Sequence, residues 1–562
     1  MQRQGRVNPR TKWLVPVLGL CLGLIVLYLA AWRHSFDGMV AWRSEDAWDR
    51  SLPQALYGLP LLLVGAFLFL ASAFRLLHLF LLKERADAFL QKNEIRIVAI
   101  LILAFLVLIV LNSRHRFFDG DEFEHVHSAW YVESGKVPFR DFFENHNPLL
   151  WYTMLPVLKL FGHTVKAVLA LRGLMLALSL GSALLVYRLA SQITVSREIG
   201  IVSLLLLLST VLFSQKGIEI RPDVPQVFFG LMSISFLIDF FRRSEAKKIA
   251  LSGLSASLSF LYLQKSLFLL AAFAVVFAYG RLRKRIEWRH IAAFGLSALL
   301  PLLAFLGFLL ATRSLGDYWA TNWLAHAHKS RFYGDLLSLS GVLAENTVLI
   351  VYLIAAVPFA WKHKKSPEAL KLVTFLGLFL LLAGLSYKAS YSQHFLLPAS
   401  LLCIPIAFYL RERFVELKKT GGEKLATLLL IVCIPFLVLT VTLLITNQKQ
   451  LERIDFVLRN TRETDLVYDG RSRFNLFRPD LHYFWYATRT VDQTGQELFG
   501  EENRSADFDA CELIKAKKPK FISEYRLDME ACGLSSLYRE TGFEGLLMRA
   551  KSAARPVGPA DL

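Results

Sequence analysis

The chain has 562 residues, 54% of them hydrophobic and only 20% charged, where a soluble globular chain carries about 25% charge. The excess is concentrated in long runs such as LVPVLGLCLGLIVLYLA and IVSLLLLLSTVLF, which exclude both an ordinary cytosolic enzyme and a disordered chain. Lys+Arg 64 against Asp+Glu 46 leaves +18, and beside so many apolar runs that surplus reads as topology signal, with no nucleic-acid partner implied.

A spanning helix needs roughly 20 apolar residues. In chain order the candidate spans are 13–32, 56–82, 96–112, 170–190, 199–214, 224–241, 249–264, 266–280, 291–311, 346–361, 372–387, 395–410 and 425–446, about thirteen in all. The first follows MQRQGRVNPRTK and is long for a signal peptide, so it reads as a retained anchor. Residues 149–162 are too short to span and carry Pro156 and Lys159, which predicts a helix lying at the membrane interface.

With the N-terminus taken as cytoplasmic, every strongly basic short loop falls on one side, from Arg3, Arg6 and Arg10 to Arg411, Arg413 and Lys418. Segments 33–55, 113–169 and 312–345 then face outward, as does everything after about Thr446. The tail 447–562 mixes short apolar runs (DLVYD, PKFISEY, EGLLMRA) with polar turns, which predicts a small soluble α/β domain outside the membrane. Of five cysteines, Cys21, Cys403 and Cys433 lie in apolar runs. Cys511 and Cys532 lie in the tail, and the sequence leaves a disulfide and two free thiols equally open.

The chemistry-bearing residues gather in FFDGDEFEHVHSAWYVESGKVPFRDFFENHNPLLWY. A helix beginning at Asp121 puts Asp121 and His125 on one face and Glu124 and Ser128 on the next. A carboxylate beside low-dielectric lipid suits a general base, and carboxylates with histidines suit a divalent metal. A solvated loop with helix-capping acids gives the same composition.

The order of these pieces resembles the first outer loop of the GT-C membrane glycosyltransferases. The nearest branch is that of the dolichyl-phosphate-mannose–protein mannosyltransferases and lipid A aminoarabinose transferases. The matching residues are Asp121-Glu122, Gly135, Pro138-Phe139, Asp141-Phe142-Phe143-Glu144, Pro148-Leu149 and Trp151-Tyr152, then Phe161-Gly162 and Arg172. Arg221-Pro222-Asp223, Lys265, His394 and Pro398 continue the likeness, which covers roughly residues 96–410. Asn145, His146 and Asn147 stand where the family often has a lysine and a Pro-Pro pair.

The resemblance implies a GT-C-like membrane domain over 96–446; the two spans before it, an N-terminal hairpin over 1–95, depart from the shortest family layout, and the soluble tail follows over 447–562. It implies inverting transfer of a sugar from a polyprenyl phosphate to an acceptor hydroxyl on the extracytoplasmic face, in a bacterial inner membrane. The acceptor is a glycan, a lipid or a protein. In that reading Asp121 is the base, with Glu122 orienting the acceptor. Glu144 and His125 supply a second carboxylate or acceptor contact, and any metal falls to Glu144 and His146. Lys265, Arg221, Lys216, His394 and Arg172 are the candidates for the donor phosphate. A flippase of lipid-linked glycans predicts repeats and mid-span charges; no repeat is evident, and nearly all ionisable residues sit at span ends. A glycan polymerase or ligase with a lipid-pyrophosphate donor stays open. A sensor or scaffold gives no reason for the acidic loop.

Overall fold

The computed structural model describes residues 84–328, 346–386, 391–470, 473–486, 509–524 and 527–550. The first two expected spans, most of the expected 1–95 hairpin, the end of the 312–345 loop and the whole stretch 487–508 lie outside the described residues. The described part is overwhelmingly helical. Eight of its helices are long and apolar enough to cross a membrane, so the protein is a multi-pass membrane protein. The chain divides into two compact units, one of Met1–Asn112, Leu180–Ile218 and Tyr333–Ile445, the other of Ser113–Ser179, Glu219–Phe332 and Thr446–Leu562.

The helices, in chain order, are α1 (Glu84–His115), α2 (Gly120–Glu133), α3 (Leu149–Phe161), α4 (Val165–Thr194), α5 (Arg197–Ser209), α6 (Val211–Lys216), α7 (Asp223–Arg243) and α8 (Ala246–Tyr262). After a 3-10 turn at Gln264–Ser266 come α9 (Leu267–Leu282), α10 (Trp288–Ala311), α11 (Leu315–Trp319), a π turn and α12 (Ala325–His328). The series closes with α13 (Thr347–Lys362), α14 (Glu368–Ser386), α15 (Leu396–Glu416), α16 (Gly421–Thr442), α17 (Gln448–Arg459) and α18 (Ala510–Lys517).

In the first unit α15 is the hub, packed against α5, α13 and α14. Its apolar residues are buried almost all round, the pattern of a helix surrounded by others. The expected span 199–214 is not one helix. It breaks at Thr210, whose extended backbone separates α5 from α6 and whose hydroxyl donates to the Leu207 carbonyl. A β-branched hydroxyl residue that offers the backbone a local partner favours such a stop.

In the second unit α7, α8 and α10 form a tight stack. Ser233 and Ser252 exchange hydroxyl-to-carbonyl bonds between α7 and α8. Small side chains let the backbones approach, as is usual where lipid gives helices no hydrophobic reason to associate. The short apolar helix expected over 149–162 is α3.

The apolar runs of the tail form strands β1 (Val467–Tyr468), β2 (Phe521–Ser523) and β4 (Leu546–Arg549), joined by β3 (Tyr538–Glu540) in the order β1-β2-β4-β3. β1 and β2 are parallel, and the other pairs are antiparallel. Alternation sends Phe521, Leu546 and Met548 to one face, and Ile522 and Leu547 to the other. The second face closes over Ile514, Leu534 and Tyr538, beside a disulfide joining Cys511 to Cys532. The first face belongs to a larger core that includes Phe118, Phe123, Trp130, Phe142, Trp151 and Met154. Residues from 447 onward, read above as a domain apart, therefore share their main core with the 113–179 segment. The boundary at 447 is a change of composition and not of packing.

Gly253 marks the closest approach in the α7–α8–α10 stack. A Cβ there would lie 2.2 Å from the Phe294 carbonyl oxygen and 2.5 Å from Ser297 Oγ. The carbonyl cannot retreat without moving α10. Gly253→Ala is expected to destabilise the protein by about 1–3 kcal/mol, in the range of overpacking. Thermal unfolding in detergent reads this as a lowered midpoint, and an unchanged midpoint contradicts the close approach.

Candidate active site

The site grows from the first turn of α2. Asp119 caps it, accepting from Asp121 N at 3.2 Å, while Glu122 Oε1 accepts from Asp119 N at 3.0 Å. This reciprocal capping box fixes the helix start and turns two neighbouring acids in different directions.

Glu122 points inward and is fully buried. Arg172 of α4 meets it with two bonds, Nε to Oε2 at 2.8 Å and Nη2 to Oε1 at 2.6 Å. The Ile220 N–H adds a third at 3.0 Å. Arg172 is itself fully buried, donates to the Arg116 and Phe117 carbonyls, and has its guanidinium 3.6 Å from the Phe118 ring centroid. Its donors are committed to protein, which makes Arg172 and Glu122 a clasp rather than a pair of substrate contacts.

Asp121 points the other way and its side chain is half exposed. Its Oδ2 lies 2.6 Å from Arg221 Nη1. Arg221 Nη1 is also 3.7 Å from Asp119, and its Nε is 3.7 Å from Asp223 Oδ2. Asp223 Oδ1 in turn is 3.8 Å from Lys265 Nζ. Burial works against the Arg221 charge, but Asp121, Asp119, Asp223 and Glu219 outweigh it and push its pKa further up. The acid of α2 and the cations before α7 and α9 thus form one array, Asp121–Arg221–Asp223–Lys265. Lys216 and His394 belong to the other unit, on α6 and on the short 3-10 turn Ser392–Phe395, which pack against each other there.

One turn along α2, Glu124 and His125 meet Glu144 and His146 from the following loop. One ligand atom from each of the four lies within 4.8 Å of the rest. His146 Nδ1 is 3.4 Å from Glu144 Oε2 and 3.7 Å from Glu124 Oε1. Ser128 Oγ donates to Glu144 Oε1 by a short bond. The Trp151 indole N–H donates to His125 Nδ1 at 3.4 Å. Burial pushes Glu144 up to about 8 against the Ser128 bond. Burial and the Glu144 charge push Glu124 well up, while burial and Arg221 bring His125 down to about 3. Burial and the neighbouring imidazoles and cations also lower His146. Two buried acids and two neutral imidazoles make a place where a dication relieves desolvation.

The tail closes the site. His127 Nε2 is 2.6 Å from Asp480 Oδ2, and Tyr131 OH donates to the same carboxylate at 3.0 Å. Phe143 N–H donates to the Tyr483 carbonyl at 3.1 Å, and Trp485 Nε1–H to the Phe143 carbonyl at 3.0 Å. Phe139 takes a φ of 70°, left-handed and costly for a bulky residue. Its carbonyl accepts from Tyr483 OH at 2.5 Å.

The sequence pattern brought out Asp121, Arg221 and Lys265, which the structure joins, and Glu144, His125 and His146, which it gathers one turn away. It did not assign Glu124 to the second group, Asp223 to the bridge between the two cations, or any role to 480–486. The one available signal for the last was the aromatic density of LHYFWY in an otherwise polar tail.

The family model described as dolichyl-phosphate-mannose-protein mannosyltransferase matches residues 145–315, the stretch that carries Arg172, Arg221 and Lys265. The fold is similar to that of ArnT from Cupriavidus metallidurans bound to undecaprenyl phosphate, with a TM-score of 0.58 and 11% identity over 82% of this chain and 99% of that one. The chain shares the fold of that protein. The apo state of the same ArnT is similar as well, with a TM-score of 0.50 and 10% identity, over 68% of this chain and 84% of that one. No curated protein sequence matches the chain.

The clasp generates a test of this geometry. Glu122→Gln leaves the Arg172 charge buried and unmatched, a loss of about 3–5 kcal/mol. Thermal unfolding should show a large drop for Glu122→Gln and almost none for the half-exposed Asp121→Asn. Equal midpoints for the two variants would contradict the division of roles.

Proposed function

We propose that the protein transfers a sugar from a polyprenyl phosphate to an acceptor hydroxyl, with inversion, on the extracytoplasmic face of a bacterial inner membrane. The observation that carries the reading is the array in which one half-exposed carboxylate, Asp121, faces two cations, Arg221 and Lys265, across Asp223. A single displacement needs those parts. The acceptor O–H gives its proton to Asp121 as its oxygen bonds to the anomeric carbon. The bond from that carbon to the phosphate oxygen breaks, and the electron pair leaves with the polyprenyl phosphate. Arg221 and Lys265 neutralise the charge that builds on that phosphate. In this reading Glu122 and Arg172 hold α2 in place. The undecaprenyl phosphate bound to ArnT supports a carrier of this class. The outward face rests on the one-sided basic loops and on the Cys511–Cys532 disulfide, which suits an oxidising compartment.

No cofactor is required by this chemistry. The chain nevertheless has residues that fit a divalent cation, namely Glu124, His125, Glu144 and His146. Two imidazoles with two carboxylates suit a borderline ion such as Zn²⁺ or Mn²⁺ better than the all-oxygen sites of Mg²⁺ and Ca²⁺. Held there, the ion would supply positive charge to two buried acids. Purified protein is expected to retain about one such ion per chain by elemental analysis, and His146→Ala to lose it. Equal metal content in the two would rule this ligand set out.

Asp121→Asn should bind donor normally and lose at least about two orders of magnitude in turnover, the usual range for a general base. Near-normal turnover in the folded variant removes Asp121 from the role. Lys265→Ala should weaken binding of the phosphorylated donor about tenfold to a hundredfold, the loss expected for a hydrogen bond to a charged group. Binding of the neutral polyprenol should stay unchanged, because a phosphate contact is all that the substitution removes.

A further inference from the structure

Tyr486 is 4% exposed, and among the described residues its hydroxyl has no hydrogen-bond partner. Leaving a buried O–H unpaired costs folding free energy, and phenols buried in proteins ordinarily find an acceptor. The position is not loose. The ring packs 5.5 Å from Phe143 and 4.7 Å from Trp485, centroid to centroid. The segment that carries it is tied to the outer loop at Phe139, Phe143, His127 and Tyr131. A phenol is a donor at neutral pH, and the charges that act on this one are those of Glu124, Glu144 and Asp121.

A packed donor near these acids, with no partner among the described residues, is arranged for a ligand oxygen. We propose that Tyr486 is an acceptor-binding residue: its O–H donates to one oxygen of a polyhydroxyl acceptor while another hydroxyl of that acceptor gives its proton to Asp121. The acceptor class that follows is a glycan or glycolipid with at least two oxygens within reach, in preference to a simple alcohol. This rests on the transfer reading above and adds to it the part played by the tail.

The test uses the full-length protein in detergent, a polyprenyl-phospho-sugar as donor, and decyl glucoside and decanol as acceptor probes. The parent should prefer the glucoside by about tenfold in kcat/KM. Tyr486→Phe keeps the ring and removes only the O–H. It should abolish that preference by raising KM for the glucoside, with donor affinity unchanged and a thermal midpoint equal to or above the parent's. Should Tyr486→Phe not fold, the parent alone decides, by comparing decyl glucoside with its ring-deoxy analogues. One of them should lose about tenfold, and uniform rates overturn the proposal. A Tyr486→Phe variant that keeps the glucoside preference overturns it as well. Donor binding keeps the two levels apart. Donor bound without any glucoside preference sinks the Tyr486 assignment alone, whereas no donor bound sinks the transfer reading beneath it.

Discussion

The site depends on one buried ion pair. Glu122 and Arg172 have no exposed surface, and their two mutual bonds are backed by the Ile220 N–H and by the carbonyls of Arg116 and Phe117. An isolated charge at that depth would be prohibitively desolvated, so each residue makes the other possible. The pair sets the direction in which α2 leaves the membrane-proximal turn. Because Asp121 precedes Glu122 by one residue on a helix, fixing Glu122 inward sends Asp121 outward, towards Arg221. Adjacent acids thus take unlike places, one buried in the frame and one half exposed beside Arg221.

The surrounding charges extend the same logic. Arg221 is nearly buried and stays charged because four acids, Asp119, Asp121, Glu219 and Asp223, face it. Lys265 is reached through Asp223 and is more exposed. One turn further along α2 the balance reverses. Glu124 and Glu144 have no paired cation among the described residues, only two imidazoles that burial keeps neutral. That difference separates a cation-rich end of the site from an end where two acids meet two neutral imidazoles.

Much of this was legible in the sequence, for physical reasons that differ from part to part. Eight of the expected spans and α3 follow from apolar length, while 199–214, 249–264 and 346–361 form helices too short to cross, and the start of α2 follows from its capping acids. Asp121, Arg221 and Lys265 stand out as ionisable residues at span ends. Arg172 looked the same by that criterion, because a clasp and a phosphate ligand are both a lone arginine beside a span; only its bonds to Glu122 tell them apart. The break at Thr210 was hidden inside an unbroken apolar run. The tail's part was hidden for another reason. The contacts of Asp480, Tyr483 and Trp485 with the outer loop join residues more than 300 positions apart, and no local pattern encodes such a pairing.

The central claim is that a phosphate-linked donor is displaced once, by an acceptor oxygen, at the Asp121–Arg221–Lys265 array. The most direct measurement follows both products of a single turnover in detergent. It identifies the released lipid by mass spectrometry and the anomeric configuration of the glycosylated acceptor by NMR. The account predicts one polyprenyl monophosphate released per sugar transferred, with the configuration at the anomeric carbon opposite to that of the donor. Release of a pyrophosphate, or a product that retains the donor's configuration, would contradict it.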